Sequence, residues 1–106
     1  MDAGDPSSID ALLAAAHSQF AESLPAKVAT IEESLARGAW DDVRRAAHRL
    51  RGSAATYGFA ALAASAAAIE DALLEAVEPD DDVRSRVAEH LVAARAEADR
   101  AARGAP

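Results

Sequence analysis

Cysteine is absent from this sequence of 106 residues, and aromatic residues make up only 4% of it. The first absence excludes disulfide bonds and thiolate metal ligands, and it fits a reducing compartment. The second predicts a thin core built mainly from Leu, Val, Ile and Ala. The large side chains expected to anchor this core are Phe20, Trp40, Tyr57 and Phe59.

Long apolar runs are also missing. The uncharged and mostly apolar stretch Tyr57–Ile69, which includes Ser65, has 13 residues, short of the ~18–20 that a membrane-spanning helix needs. The N-terminal sequence MDAGDPSSID is acidic and polar, unlike a secretory signal. We therefore expect a cytoplasmic protein without membrane insertion. Its length predicts a single domain over 1–106, with an ordered core at about 8–100.

Basic residues are outnumbered, and the net charge of −7 argues against general nucleic-acid binding. The cations that are present are clustered. No acidic residue lies between Asp42 and Glu70. A basic patch on an acidic body suggests one acidic or phosphorylated partner, although an ordinary solvated helix face fits the pattern equally well. Four arginines fall within eight residues of that interval: Arg44, Arg45, Arg49 and Arg51.

The spacing of apolar residues predicts helices throughout, and no alternating pattern typical of strands is present. The expected fold is all-α, an antiparallel four-helix bundle with a short additional helical segment at the N-terminus. That segment is capped by Ser7 or Ser8, and a second helix begins at Pro25 and stops at Gly38. One long helix over 8–37, kinked near Pro25, is the alternative.

The remaining helices follow from the same signals. The third is predicted from Ala39 or Trp40 to about Tyr57, with Gly58 as its stop. The fourth spans Phe59 to about Val77. Asp81 or Asp82 is expected to cap the last helix.

One histidine of the third helix is predicted to face solvent. At 100° per residue, a stripe from Val43 to Tyr57 faces the core, and His48 lies about 140° away from Val43. Arg44 and Arg51 lie on the same side of the helix, one turn before and one turn after. The imidazole is therefore expected to be accessible and flanked by cations.

The glycine four residues after this histidine has a steric explanation. Helical side chains lean toward the N-terminus, so a side chain at position 52 would lean toward His48. Gly52 removes it, at a cost of about 1 kcal/mol relative to alanine, and Ala55 keeps the next turn low. A helix that simply stops at Gly52 is the alternative, but the apolar periodicity continues to Tyr57 and Gly58 is the better stop.

An exposed histidine beside fixed cations suits either a general base or a nucleophile toward phosphorus. A general base needs an orienting carboxylate and a concave site. The nearest acids along the chain are Asp42 and Glu70, and neither is expected within reach. The sequence favours a nucleophile, with Arg51 and Arg44 offsetting the charge of its phosphorylated form.

The residues Ala47–Gly58, AHRLRGSAATYG, resemble the signature of histidine phosphotransfer (HPt) domains, roughly A-H-x-L-[KR]-G-[SA]-[SA]-x-x-x-G. The resemblance covers about 8–76. Flanking residues agree with the family pattern: Phe20, Leu24, Leu35, Gly38, Leu62 and the pair Ile69–Glu70. Lysine is commoner in the family at position 51, and a capping Asp is commoner at position 39, where this chain has Ala39.

The resemblance implies a phosphocarrier without catalytic activity of its own. His48 would carry the phosphoryl group between receiver-domain aspartates, or from a histidine kinase to a response regulator. Arg51 would steady that group and Gly52 would give clearance. No cofactor or metal is expected in this chain, because the partner receiver brings Mg²⁺. Arg45 and Arg49 are predicted to dock the partner, and a monomer is expected.

Two rival functions are kept. The first is a docking module that binds receivers through its basic face without being phosphorylated. The second is a small hydrolase that uses His48 as its base, which requires a deep pocket at that histidine. A metal site that adds His17 and His90 is not supported, because the three histidines lie on separate helices without paired spacing.

Overall fold

The computed structural model describes residues 6–104, and these fold into four α-helices without a strand. They are α1 (Pro6–Ala36), α2 (Trp40–Thr56), α3 (Ala60–Glu75) and α4 (Asp81–Ala102). Each helix packs against the next, and α4 closes the ring against α1. The all-α four-helix bundle predicted from the sequence is confirmed.

The prediction of a separate N-terminal helical segment is wrong, and the alternative of one long helix is right. Helix α1 begins at Pro6 and runs through Pro25 for 31 residues, so Ser7 and Ser8 lie inside it. A proline inside a helix removes one backbone hydrogen bond. Leu24 and Val28, on either side of Pro25, are fully buried, and their packing holds the helix together across it.

The core is thin, as the composition predicts. The largest fully buried side chains are aliphatic, and alanines fill much of the remaining space between helices. Phe20, Trp40 and Phe59 pack against the core only in part. Seven large side chains form its centre: Leu24, Val28, Ile31, Val43, Leu62, Ile69 and Val87.

Tyr57 is not the core anchor that its spacing predicts. Its side chain follows the last residue of α2 and is 37% exposed. The ring stacks on Phe20 at 4.3 Å between centroids, at the end of the bundle. The periodicity fails here because the backbone turns at Gly58, where φ is +84°.

Most helix ends lie where the sequence places them. Gly38 and Gly58 both adopt positive φ and end α1 and α2, a conformation that glycine adopts without steric cost. Ala39 makes no side-chain cap for α2, as expected from its lack of a polar group. The cap of α4 is Asp80, one residue before the predicted Asp81, and its carboxylate accepts from the backbone N–H of Val83 at 3.0 Å.

Candidate functional site

The predicted histidine stands on the outer face of α2. Its side chain is 69% exposed. Helix α2 continues past Gly52 to Thr56, so Arg51 and Gly52 occupy the turn that follows His48, as the sequence predicts. A ring with this exposure does not lie in the deep pocket that a hydrolase would require.

A carboxylate from the neighbouring helix holds this histidine, contrary to the expectation from sequence. Glu70 of α3 is only 5% exposed. Its Oε2 lies 2.7 Å from His48 Nδ1, and its Oε1 accepts from an Arg51 N–H at 3.1 Å. The expectation failed because His48 and Glu70 are 22 residues apart in sequence and are brought together by the packing of α3 on α2. The spacing of residues along one helix does not reveal such a contact.

The contact fixes the chemistry of the ring. A carboxylate accepts hydrogen bonds, so Nδ1 carries the proton and donates it to Glu70. In a neutral imidazole the other nitrogen, Nε2, then keeps its lone pair. Because His48 is largely exposed, this lone pair is the one available to a partner. The site therefore presents an oriented nucleophile.

The carboxyl group of Glu70 is shifted toward its ionised form. Burial raises its pKa, but the hydrogen bonds and positive charges of His48 and Arg51 outweigh burial, so the pKa lies below its usual value. Glu70 is therefore ionised at neutral pH and acts as an acceptor toward both neighbours.

This shift makes the stability of the domain pH-dependent. The pKa of Glu70 is lower in the folded than in the unfolded chain, so its contribution is fully present above the unfolded value of about 4.3 and is lost as pH falls through the folded value. We expect the urea midpoint of the wild-type chain to fall more between about pH 5 and about pH 3 than that of Glu70→Gln. Equal slopes for the two proteins would contradict this linkage.

The two arginines predicted to stabilise a phosphoryl group differ in position. Arg51 is 49% exposed and bonds Glu70, with Asp71 Oδ1 3.8 Å from the same nitrogen. Its guanidinium has five N–H donors, so it can hold Glu70 and still face a group on His48. Arg44 lies one turn before His48 and lines a cleft between α2 and α3 with Leu74 and Trp40.

The two residues predicted to give clearance, Gly52 and Ala55, are exposed on the same side of α2. A Cβ added at position 52 would meet no atom within 4 Å. Nothing inside the chain therefore requires a glycine there, and its φ is not in the positive range. The space above Gly52 is open for a partner.

Gly52→Ala separates stability from function. The variant is expected to be more stable by about 1 kcal/mol, because alanine is the better helix residue and meets no clash. Phosphoryl transfer to a receiver should nevertheless fall if the position gives clearance. Urea unfolding and a transfer assay measure the two effects, and Ala55→Gly is the matched control, less stable but undiminished in transfer. A stabilised variant with unchanged transfer would contradict the clearance role.

The other two residues predicted to dock the partner, Arg45 and Arg49, line the α1–α2 side of α2. Arg45 is paired with Asp42 at 2.9 Å, and Arg49 lines a groove between α1 and α2 with Lys27 and Thr30. His48 instead contacts α3. The structure does not bring Arg45 and Arg49 to the site built around His48.

The other two histidines are separate from this site. His17 stacks on Phe59 with centroids 4.8 Å apart, and His90 lies on α4. Across residues 6–104, no three His, Asp or Glu side chains are grouped as metal ligands would be. Over the same range, no helix combines the length and apolar character needed to cross a bilayer.

Glu70 left one signal in the sequence. From Phe59 to Ile69 the chain carries no charge, and Glu70 is the first charged residue of that helix. It directly follows Ile69 of the core stripe, so it lies at the edge of the buried face. An acid at such a position needs a cationic or donating partner, and on the adjoining helix His48 and Arg51 fill that role.

Comparison with models of known protein families identifies the family of this chain. Searches among curated proteins and solved structures gave no significant match. A family model described as Hpt domain matches residues 16–102, most of the chain, including all the residues around His48. Domains of this kind are phosphotransfer modules of two-component signalling that interact with receiver domains and histidine kinases. The chain belongs to the Hpt domain family.

Proposed function

We propose that His48 is the phosphorylated residue of this Hpt domain, and that its Nε2 is the atom that carries the phosphoryl group. The observation that supports this most directly is the 2.7 Å contact between Nδ1 and the buried carboxylate of Glu70. It orients an exposed ring and leaves one nitrogen free as a nucleophile.

The transfer step needs no reactant other than the histidine and the phosphoryl donor. The Nε2 lone pair attacks phosphorus, the bond from phosphorus to the donor atom breaks, and the donor leaves as a carboxylate, as a nucleoside diphosphate or, in the case of phosphoramidate, as ammonia. The proton stays on Nδ1, so the phosphorylated ring carries a positive charge that is delocalised over the imidazolium and offset by the carboxylate of Glu70. In the onward step a receiver aspartate attacks the same phosphorus, and the N–P bond breaks.

Charge neutralisation is shared between the two partners in this proposal. Arg51 lies one turn from His48 and is held by Glu70, so it is positioned to donate to the phosphoryl oxygens. The receiver supplies Mg²⁺ together with the acidic pocket that holds it. The chain itself works as a carrier, without autonomous catalysis.

Chemical phosphorylation tests the proposal without a known partner. Phosphoramidate, a small-molecule donor, should add one phosphoryl group to the folded chain, and the bond should be labile in acid and stable in base. Nitrogen-15 and phosphorus-31 NMR should place the group on Nε2 of His48. A label on Nδ1, on another histidine, or on no histidine would contradict the proposal.

The receiver is proposed to dock along the α2–α3 face. Leu74 lies one turn beyond Glu70 on α3, is 61% exposed, and lines the same cleft as Arg44. An exposed aliphatic side chain beside the reactive residue is suited to burial under a partner.

Leu74→Asp is expected to weaken receiver binding about 10-fold or more, because it places a charge in a desolvated contact. The matched control is Val92→Asp, an exposed aliphatic residue of α4, which should bind as the wild type does. Titration calorimetry against a panel of receivers measures both. Equal losses in the two variants would contradict docking at this face.

A further inference from the structure

Helix α1 extends beyond the bundle that it helps to form. It has 31 residues, whereas its antiparallel partner α4 has 22. The end of α4 is level with His17, since one cleft is lined by both His17 and Ala102. Residues 6–16 therefore project past the bundle by about 16 Å, at 1.5 Å per residue.

The projecting segment carries an apolar stripe that no described residue covers. Ile9, Leu12 and Leu13 are 47%, 71% and 64% exposed, and Ala16 continues their stripe at i+7. This is the pattern of a helix face that packs on another helix. From residue 8 onward, the first buried residue of α1 is Ala21. A short helical extension is marginal in water without such packing.

The absence of charged residues makes a second copy of this acidic chain a suitable partner for the stripe. The chain carries a net charge of −7, yet residues 11–21 contain no Asp, Glu, Lys or Arg. Two copies of an acidic protein repel each other wherever their charged surfaces meet. The projecting stripe is a surface along which two copies can meet without like charges in contact.

The stripe is also complementary to itself in one orientation. In an antiparallel pair with its two-fold axis between positions 12 and 13, Ile9 faces Ala16 of the second copy and Leu12 faces Leu13. The large Ile9 then meets the small Ala16, the two leucines meet at the axis, and Asp10 faces Ala15. A parallel pair would instead set Ile9 against Ile9, Ala16 against Ala16 and Asp10 near Asp10.

We infer that residues 6–19 of α1 form an antiparallel, two-fold symmetric dimer interface with a second copy of this chain. The inference differs from the monomer expected from the sequence, and it does not depend on the proposed phosphotransfer. The overlap is about 20 Å long, so the dimer is weak and concentration-dependent. It leaves His48, in the middle of α2, exposed in both copies.

Sedimentation equilibrium of the whole chain tests the interface. The average mass should rise above 10.9 kDa as the concentration increases from about 10 μM to about 1 mM, the range expected for a small interface. Added salt should strengthen the association, because it screens repulsion between the two acidic bodies. A single monomeric mass throughout this range, or dissociation by salt, would overturn the inference.

Two variants locate the contact. Leu12→Asp and Leu13→Asp should each weaken the association at least 10-fold, while Val92→Asp, an equally exposed site on α4, should associate as the wild type does. Circular dichroism and urea unfolding check that the bundle remains folded. Association that persists in both stripe variants would show that the interface lies elsewhere and would overturn the inference.

Cysteine cross-linking tests the orientation, since the natural chain has no cysteine. The double variant Ile9→Cys with Ala16→Cys should form a disulfide-linked dimer on mild oxidation. Ala16→Cys alone should not, because its two copies would lie about 10 Å apart along the axis. Equal cross-linking of the single and double variants would overturn the antiparallel arrangement.

Discussion

Replacing His48 with glutamine is expected to abolish phosphorylation of this chain. Glutamine has no nucleophilic nitrogen, so neither phosphoramidate nor a phosphorylated receiver should transfer to it. The side chain is 69% exposed and contributes no core packing, so the variant should fold as the wild type does. Intact-mass spectrometry under basic conditions measures the bound phosphoryl group directly.

The other two histidines provide matched controls. His17→Gln and His90→Gln should each be phosphorylated at His48 to the wild-type extent, because neither residue contacts the site. A label that persists in His48→Gln, or that disappears in His90→Gln, would refute the assignment. A wild-type chain that binds receivers but takes up no phosphoryl group from any donor would favour the docking module instead.

Much of the site follows from local spacing. His48, Arg51 and Gly52 lie on one turn of one helix, and a fixed 100° per residue is enough to place them on its outer side. The helix does continue through Gly52 to Thr56. The resemblance of Ala47–Gly58 to the family signature depends on the same short stretch, and the family assignment is confirmed.

The rest of the site requires the register between two helices. Glu70 reaches His48 only because α3 packs on α2 with one particular offset, and that offset depends on side chains along both helices. For the same reason, the presence of a proline could not decide whether one helix continues through Pro25 or a second helix begins there. Burial of Leu24 and Val28 outweighs a local penalty of about 3 kcal/mol, and burial is a property of the assembled bundle.

Removing the carboxylate of Glu70 is expected to slow phosphorylation of His48 about 10- to 100-fold, the loss seen when metal-binding histidines lose the carboxylate that orients them. Without this acceptor, Nδ1 no longer holds its proton preferentially and the ring rotates more freely. Both Glu70→Gln and Glu70→Leu should show the effect, with the larger loss in Glu70→Leu, which cannot accept a hydrogen bond at all.

The stability of Glu70→Leu should not fall together with its rate of phosphorylation. Glu70 is buried, but its two partners are 69% and 49% exposed, so both regain water when the carboxylate is removed. Removing one member of an ion pair is costly when it leaves the other charge buried and unpaired. Neither partner is left buried here, and the apolar burial of leucine offsets the contacts that the carboxylate made. Glu70→Leu should therefore unfold at the same urea concentration as the wild type or at a higher one. Lost phosphorylation in a chain of undiminished stability would distinguish positioning from a structural role.

The ring itself supplies the decisive measurement. Nitrogen-15 shifts of His48 should report a proton held on Nδ1 in the wild type and shared between both nitrogens in Glu70→Leu, and phosphoramidate should then label Nδ1 as well as Nε2. Glu97→Gln is the matched control, because Glu97 accepts from Ser65 at 2.8 Å between α3 and α4, away from His48. An unchanged tautomer and unchanged labelling in Glu70→Leu would show that the carboxylate does not orient the nucleophile.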